Sequence, residues 1–251
     1  MSDNDFTDAF FALHHGLPRQ GPGSDDTTRT LLAFTGRLPE RPRVLDLGCG
    51  PGRSATLLAA ETGAEVTAVD THQPFLDELR RSADARGLGA SVRTVNGSMG
   101  ELPYADGSFD LVWAESSAYI IGFDTALSSW KRLLAPGGAL VLTECVWTTD
   151  APSPECTAFW EAADCPLRTA EESAAAAVAA GYDVLGTYAQ PESDWDEYYI
   201  PLARHVEAAD PASAAMARAI AGCREELAMR REHGAEYGYA GFALRPVPPH
   251  A

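Results

Sequence analysis

In the stretch VLDLGCGPG, residues 44–52, glycines stand at 48, 50 and 52, after a strand-like run and before a helical one. Glycine has no Cβ, so a ligand can come directly against the backbone of such a turn. Eighteen residues past Gly52 a second strand-like run, EVTAVD, ends in Asp70, whose carboxylate can accept both hydroxyls of a ribose. The pair points to a nucleoside, and the glycine spacing narrows which one. A dinucleotide turn needs G-x-G-x-x-G so that a helix N-terminus receives the pyrophosphate. Here the order is G-x-G-x-G, with Arg53 where the last glycine would stand. Asp46, inside the first strand, sets a carboxylate beside the ligand, which opposes a pyrophosphate and favours an ammonium or sulfonium. Charge thus favours S-adenosylmethionine over a nicotinamide dinucleotide.

In an open sheet, ligands gather at the C-terminal strand edges, which nominates Glu115, Tyr119, Glu144, Cys145 and Trp147 for the side that receives a transferred group. The N-terminal FFALHHGLP adds His14 and His15, either of which can act as a base near neutral pH or simply pack a helix; Phe10 and His14 lie four apart on one face. Cys145 reads as a nucleophile or as a small buried strand residue, since no basic neighbour in sequence lowers its pKa. Trp195, Tyr198 and Tyr199, set among Asp194, Asp196 and Glu197, read as a cage for a cationic or planar acceptor or as a packing face.

The elements that must position these groups follow from periodicity. RVLDLG (43–48), EVTAVD (65–70), SVRTVNG (91–97), FDLVWAE (109–115) and GALVLTEC (138–145) are expected strands, separated by amphipathic runs that predict βαβ units. After Val146 come a helix around CTAFWEAAD, an alanine-rich helix, a strand YDVLGTYA, two further helices over WDEYYIPLARHVEAAD and 212–233, and a closing strand YGYAGFALRP. The expectation is an α/β fold with a Rossmann-like, doubly wound, seven-stranded sheet and helical cap insertions. It forms one domain over residues 1–251: an N-terminal lid at 1–40, a core at 41–150, and a cap with the last strands at 151–251. The REE and RREH patches of the 212–233 helix read as a solvated face or a homodimer contact.

Composition sets the outer bounds. With 45% apolar and 22% charged residues the chain is ordinary globular material, and a net charge of −17 repels nucleic-acid backbones and anionic lipid surfaces. No apolar run is long enough to span a membrane, the start MSDNDFTDAF is acidic where a secretory leader would be basic, and five cysteines form no C-x-x-C pair. Free thiols in the cytoplasm, no metal site, and a small-molecule partner are the expectations.

The glycine turn, VTAVD, NGSMGELPYADGSFDLVWAES and LLAPGGALVLTE together resemble the class I S-adenosylmethionine-dependent methyltransferases over residues 43–145. LPRQGPGS, with the terminal YGYAGF, is similar to a small-molecule, methyltransferase type 11/25-like subgroup. The resemblance implies that Asp46, Gly48, Cys49 and Gly50 border the methionine part of the cofactor, that Asp70 grips the ribose, and that Thr71 and Gln73 flank it. It also implies that Ser98 and Met99 meet the adenine, although many members carry aspartate where Ser98 stands, and that Glu115 and Ser116 meet the methionine end. In this reading the 16–24 loop folds over the cofactor or is a solvated linker, Ser24 caps the next helix, and Arg19 pairs with the cofactor carboxylate. Tyr119 borders the transferred methyl, with Tyr119, His14 and Cys145 as catalytic candidates and Tyr119, Glu144, Trp147 and Tyr198 facing the acceptor. Two alternatives remain open: the same fold spending the cofactor in a reaction that releases methylthioadenosine, by cyclisation or aminocarboxypropyl transfer, and a non-catalytic cofactor-binding protein.

Overall fold

The computed structural model describes residues 3–248. Two helices, α1 (Asp3–His14) and α2 (Asp25–Phe34), precede the alternating units β1 (Arg43–Leu47), α3 (Arg53–Thr62), β2 (Glu65–Asp70), α4 (Gln73–Ala85), β3 (Val92–Asn96), β4 (Phe109–Glu115), α5 (Phe123–Trp130) and β5 (Leu134–Trp147). Then follow α6 (Pro154–Ala162), β6 (Arg168–Thr169), α7 (Ala170–Ala179), β7 (Tyr182–Ala189), α8 (Glu192–Ala208), α9 (Ala214–His233) and β8 (Tyr237–Pro246).

The main sheet runs β3-β2-β1-β4-β5-β8-β7, with the first five strands parallel and β8 antiparallel between β5 and β7. The order of winding reverses between β1 and β4, and a crevice opens there at the C-terminal strand ends. The seven expected strands form this sheet. Two details differ from expectation. β5 begins at Leu134 rather than Gly138, because Leu134 pairs with Phe109 across a register shift and holds the LAPGG segment extended. The two-residue β6 pairs the end of β5 and hydrophobicity gave no sign of it.

Burial explains the layers. β1, with the pattern eBBBB, is covered on both faces by separate apolar clusters: Leu45 and Leu47 pack toward α5 and α7, while Val44 packs toward α2, α3 and α4. A third cluster joins Ala9, Leu13 and Leu17 of the N-terminal segment to Tyr198, Leu202 and Val206 of α8 and Ala219, Ile220 and Cys223 of α9, above Cys145 and Tyr237. The cap thus shares its core with α1, which fixes the lid above the strand ends. The 212–233 region departs from the solvated reading: α9 turns Arg230 under Trp195, its guanidinium carbon 3.8 Å from the ring centroid, and Glu226 toward Tyr199. Trp195 is thereby a packing residue.

Candidate functional site

The chain turns at the exit of β1 through backbone that only glycine adopts without strain. Gly48 has φ +68°, and a Cβ there would lie 2.5 Å from the Ser117 Cβ; Gly52 has φ +79°, and its Cβ would lie 2.1 Å from a Leu79 methyl. The amides of Gly48 and Cys49 donate to the Val69 carbonyl at 2.9 and 3.1 Å. Asp70 then ties the turn to the next strand: one carboxylate oxygen accepts from the Gly50 N–H at 2.9 Å, the other from the His72 N–H at 2.8 Å. Its side chain is aimed at the glycine turn, where sequence placed it. Asp70→Ala is expected to weaken cofactor binding by about 1.5–3 kcal/mol, the scale of hydrogen bonds to a charged group; titration calorimetry at an unchanged dissociation constant would refute the ribose role.

The 16–24 loop lies on this turn, with the Gln20 Cγ 3.0 Å from the position of a Gly50 Cβ. It is a clamped element and not a solvated linker. Ser24 caps α2 by accepting from the Thr27 N–H at 3.1 Å; the Gly23 N–H donates to the Asp194 carbonyl at 3.1 Å, and the Thr27 hydroxyl to the Asp194 carboxylate at 2.6 Å. Arg19, 6% exposed, donates to Glu115 at 2.8 Å and to Asp25 at 3.0 Å. Glu115 also accepts from the Thr28 hydroxyl at 2.6 Å and the Trp113 indole at 2.9 Å. Asp25 receives Arg53 in a two-pronged pair at 2.7 Å, and these guanidinium contacts hold its carboxyl below the usual range against the opposing effect of burial. Arg53, which occupies the missing glycine's place, thus braces the lid.

Between loop and turn lies a cavity of about 60 Å³ lined by Arg19, Gln20, Asp46, Gly48, Cys49, Gly50, Glu115 and Ser116 among others. Burial pushes the Asp46 carboxyl well up, and Glu115 and Asp70 add to the shift; the Cys49 thiol is also pushed up and stays protonated. One Asp46 oxygen (Oδ2) and the Arg19 Nε are both buried without a hydrogen-bond partner. Of the other expected cofactor residues, Thr71, Gln73 and Ser98 are exposed; Gln73 accepts from Asn96 at 3.2 Å, and Ser98 accepts from the Gly100 N–H at 3.2 Å. Met99 is buried below, its carbonyl bonded to the Trp130 indole at 3.0 Å.

The acceptor-side candidates gather beyond Ser116. Its N–H donates to the Thr143 hydroxyl at 2.8 Å, next to Glu144 on β5. Glu144 is 8% exposed, has one oxygen (Oε1) without a partner, and is pushed from its ordinary 4.5 to about 8 by burial, against a hydrogen bond from the Tyr119 backbone. Tyr119 is 47% exposed on a short turn after β4. His14 parts from His15: buried and held neutral, it donates from Nδ1 to the Phe10 carbonyl at 2.7 Å, which leaves Nε2 to accept from the Tyr198 hydroxyl at 3.1 Å. His15 instead meets His72 at 2.7 Å. Cys145 is 7% exposed and burial holds its thiol protonated, while Trp147 sits half-buried at the end of β5. Thr28 carried no signal in the sequence, and the roles of Asp194 and Glu226 were not legible there; each of the three acts through a partner 27 to 167 residues away.

Glu144 also makes a stability prediction. An unfolded glutamate loses its proton near 4.5 and the folded one near 8, so between these the folded chain holds a proton the unfolded chain has released, and stability falls as pH rises through that window. Glu144→Gln removes this decline. Urea unfolding at pH 5 and pH 8 is expected to show a loss smaller by about 2–4 kcal/mol in the variant than in the wild type; equal losses would contradict the assignment.

This strand order, with the glycine turn at the β1 exit and the acidic end of β2, is a Rossmann-like doubly wound sheet, the fold that class I methyltransferases also have. Residues 44–138 match the methyltransferase domain family. Methyltransferase GfsG of Streptomyces halstedii is 37% identical over 105 residues, 41% of this chain and 38% of that protein. The malonyl-[acyl-carrier protein] O-methyltransferase of Enterobacter lignolyticus is 36% identical over 157 residues, 61% of this chain and 58% of that protein. The chain spans less than two thirds of the length of these curated relatives. Among solved structures, the S-adenosylmethionine-dependent methyltransferase from Geobacter sulfurreducens, in complex with S-adenosyl-L-homocysteine, shares the fold at a TM-score of 0.82 and 23% identity, covering 96% of this chain and 98% of that one. No helix among the described residues is long and apolar enough to cross a membrane.

Proposed function

We propose that the chain is an S-adenosylmethionine-dependent methyltransferase acting on a small-molecule metabolite. The observation that carries this reading is a pair of buried groups lining one cavity that make no hydrogen bond: an acceptor on Asp46, and a donor on Arg19, its Nε, whose nearest carboxylate oxygen is that of the half-exposed Glu197 at 3.8 Å. A zwitterionic amino-acid end satisfies both, its ammonium at Asp46 and its carboxylate at Arg19, which has N–H groups to spare beyond those given to Glu115 and Asp25. Asp46, Glu115 and Asp70 outnumber the one buried cation around the cavity, an environment suited to a sulfonium and adverse to a pyrophosphate. The ribose belongs at Asp70, with Thr71 and Gln73 beside it, and the adenine at Ser98 and Met99.

When bound, S-adenosylmethionine supplies an electrophilic methyl on a sulfur that is already a good leaving group. The chain's own contribution is therefore alignment and exclusion of water. Arg19 and the glycine turn fix the donor end, the clamped 16–24 loop and α8 close over it, and Tyr119, Tyr198 and Glu144 orient the acceptor. His14 serves as a positioning residue that holds the Tyr198 hydroxyl. Cys145, protonated and buried, packs the strand end.

The curated relatives, named as methyltransferases, support the same reaction. We further read residues 1–251 as one domain working in the cytoplasm, where its five unpaired cysteines stay reduced, and its charge of −17 speaks against a nucleic-acid partner. The test is product analysis. Labelled S-adenosylmethionine incubated with the protein and a cell extract is expected to yield S-adenosylhomocysteine and a methylated small molecule by mass spectrometry. Methylthioadenosine as the nucleoside product would overturn methyl transfer in favour of carbon–sulfur cleavage elsewhere in the cofactor.

A further inference from the structure

The lid and the ribose end of β2 meet through two imidazole rings. His15 continues the last turn of α1, its N–H donating to the Phe11 carbonyl at 3.0 Å, and Gly16, at φ +77°, then turns the chain into the 16–24 loop. His72 follows Asp70 by two residues and stands at the N-cap of α4, where a side chain ordinarily bonds the first turn; its ring makes no such bond. The ring is given to the lid instead: His72 Nε2 lies 2.7 Å from His15 Nε2, and the ring stacks on Phe11 with 4.0 Å between centroids. Phe75 packs edge-on against Phe11, His15 and His72 at 5.7, 5.7 and 4.6 Å. Contacts run from this pair to the cofactor site on both sides. On one, the His72 N–H donates to the Asp70 carboxylate at 2.8 Å, whose other oxygen accepts from the Gly50 N–H. On the other, the Gln20 side chain donates to the His14 carbonyl at 3.0 Å and lies against Gly50. The two branches meet at the glycine turn.

Resting on the methyltransferase reading above, we infer that His15 and His72 are positioning residues: their ring-to-ring hydrogen bond closes the lid on the end of β2 and holds Asp70 where the cofactor's ribose meets it. A bond between two Nε2 atoms contains one proton. One ring donates and the other accepts, so the bond forms with both rings neutral or with one of them charged. A second added proton sets two N–H groups and two positive charges against each other, and the clasp opens. Burial, and after it the charge of His15, push the His72 ring below its ordinary 6.5, while Asp70, Asp8 and Glu78 work the other way. His14, next to His15, is held neutral by burial. A closed state that resists protonation is favoured above the ordinary histidine range and loses that advantage as pH falls through about 6.5 and below. Cofactor affinity falls with it, because an open clasp frees both the N-cap residue that holds Asp70 and the loop that lies on Gly50.

Calorimetric titration of the full chain with S-adenosylhomocysteine at about pH 7.5 and pH 5.5, either side of the ordinary histidine range, tests this; the wild type is expected to lose about tenfold in affinity on acidification. His15→Phe keeps a ring against His72 and Phe75 but removes the hydrogen bond, so it should bind severalfold more weakly at the higher pH and change little at the lower. His15→Gln supplies a donor and an acceptor that do not titrate, and should regain wild-type affinity at the higher pH and hold it at the lower. Asp46, whose carboxyl also lies beside the ligand, is common to all three chains, so the differences between them report the histidine pair. In an Asp70→Ala background, His15→Phe should add little, since the clasp acts on that carboxylate. A pH profile that survives His15→Phe, no rescue by His15→Gln, or full additivity with Asp70→Ala would each overturn the inference. A wild type that binds no S-adenosylhomocysteine at either pH would sink the methyltransferase reading and the inference with it, whereas binding that does not change with pH sinks the inference alone.

Discussion

Gly48→Val is expected to abolish cofactor binding, weakening it more than a hundredfold, and to destabilise the fold by about 2–5 kcal/mol. Two costs add. A branched side chain at φ +68° costs roughly 1–2 kcal/mol for the left-handed backbone alone. Its Cβ would also sit 2.5 Å from the Ser117 Cβ, and Ser117 has little room to yield because its hydroxyl donates to the Leu47 carbonyl at 2.7 Å; overpacking of this kind costs about 1–3 kcal/mol. Gly63→Ala is the control: φ is +67° there, yet nothing lies within 4 Å of the added Cβ, and the residue only ends α3. That variant should lose about 1 kcal/mol in urea unfolding and bind S-adenosylmethionine normally. If both variants lost stability equally and Gly48→Val still bound the cofactor, the glycine turn would not be the cofactor's seat.

Arg19→Met is expected to have the next largest effect, about 3–5 kcal/mol of stability together with a 10- to 150-fold loss of cofactor affinity. The substitution removes the cation from a buried carboxylate, Glu115, and loosens Asp25, leaving Arg53 alone to hold the lid. The two effects separate by experiment. Arg19→Met with Glu115→Gln removes the buried charge and should regain much of the stability without regaining affinity. Recovery of both would show that Arg19 acts only as a brace; recovery of neither would show that the Glu115 pair is not what the fold depends on.

These expectations rest on two kinds of information. The glycine turn, Asp46 and Asp70 were legible in the sequence because a parallel strand followed by a tight turn and a helix is a local pattern, and the distance from Gly52 to Asp70 is one helix and one strand. The seven strands were legible for the same reason, through alternating apolar runs and their breakers. The partners of Glu115 were not: Arg19 and Thr28 lie 96 and 87 residues away and Asp194 meets Thr27 across 167, and no short-range periodicity records which helix lands on which loop. Nor did charge alone place Glu226 and Arg230. On a helical wheel they look solvated, and only the docking of α9 on α1 and α8 turns them inward. The early start of β5 was hidden by the glycines and proline of LAPGG, where pairing with Phe109 overrides local preference.

The central claim is that the β1 turn, Asp70 and Arg19 together hold S-adenosylmethionine. A crystal structure of the protein with S-adenosylhomocysteine tests it most directly. The account predicts the ribose hydroxyls on the Asp70 carboxylate, the amino-acid carboxylate within hydrogen-bond distance of Arg19, and the amino group at Asp46 Oδ2; a ligand bound elsewhere, or a nicotinamide dinucleotide held at this turn in its place, would contradict it.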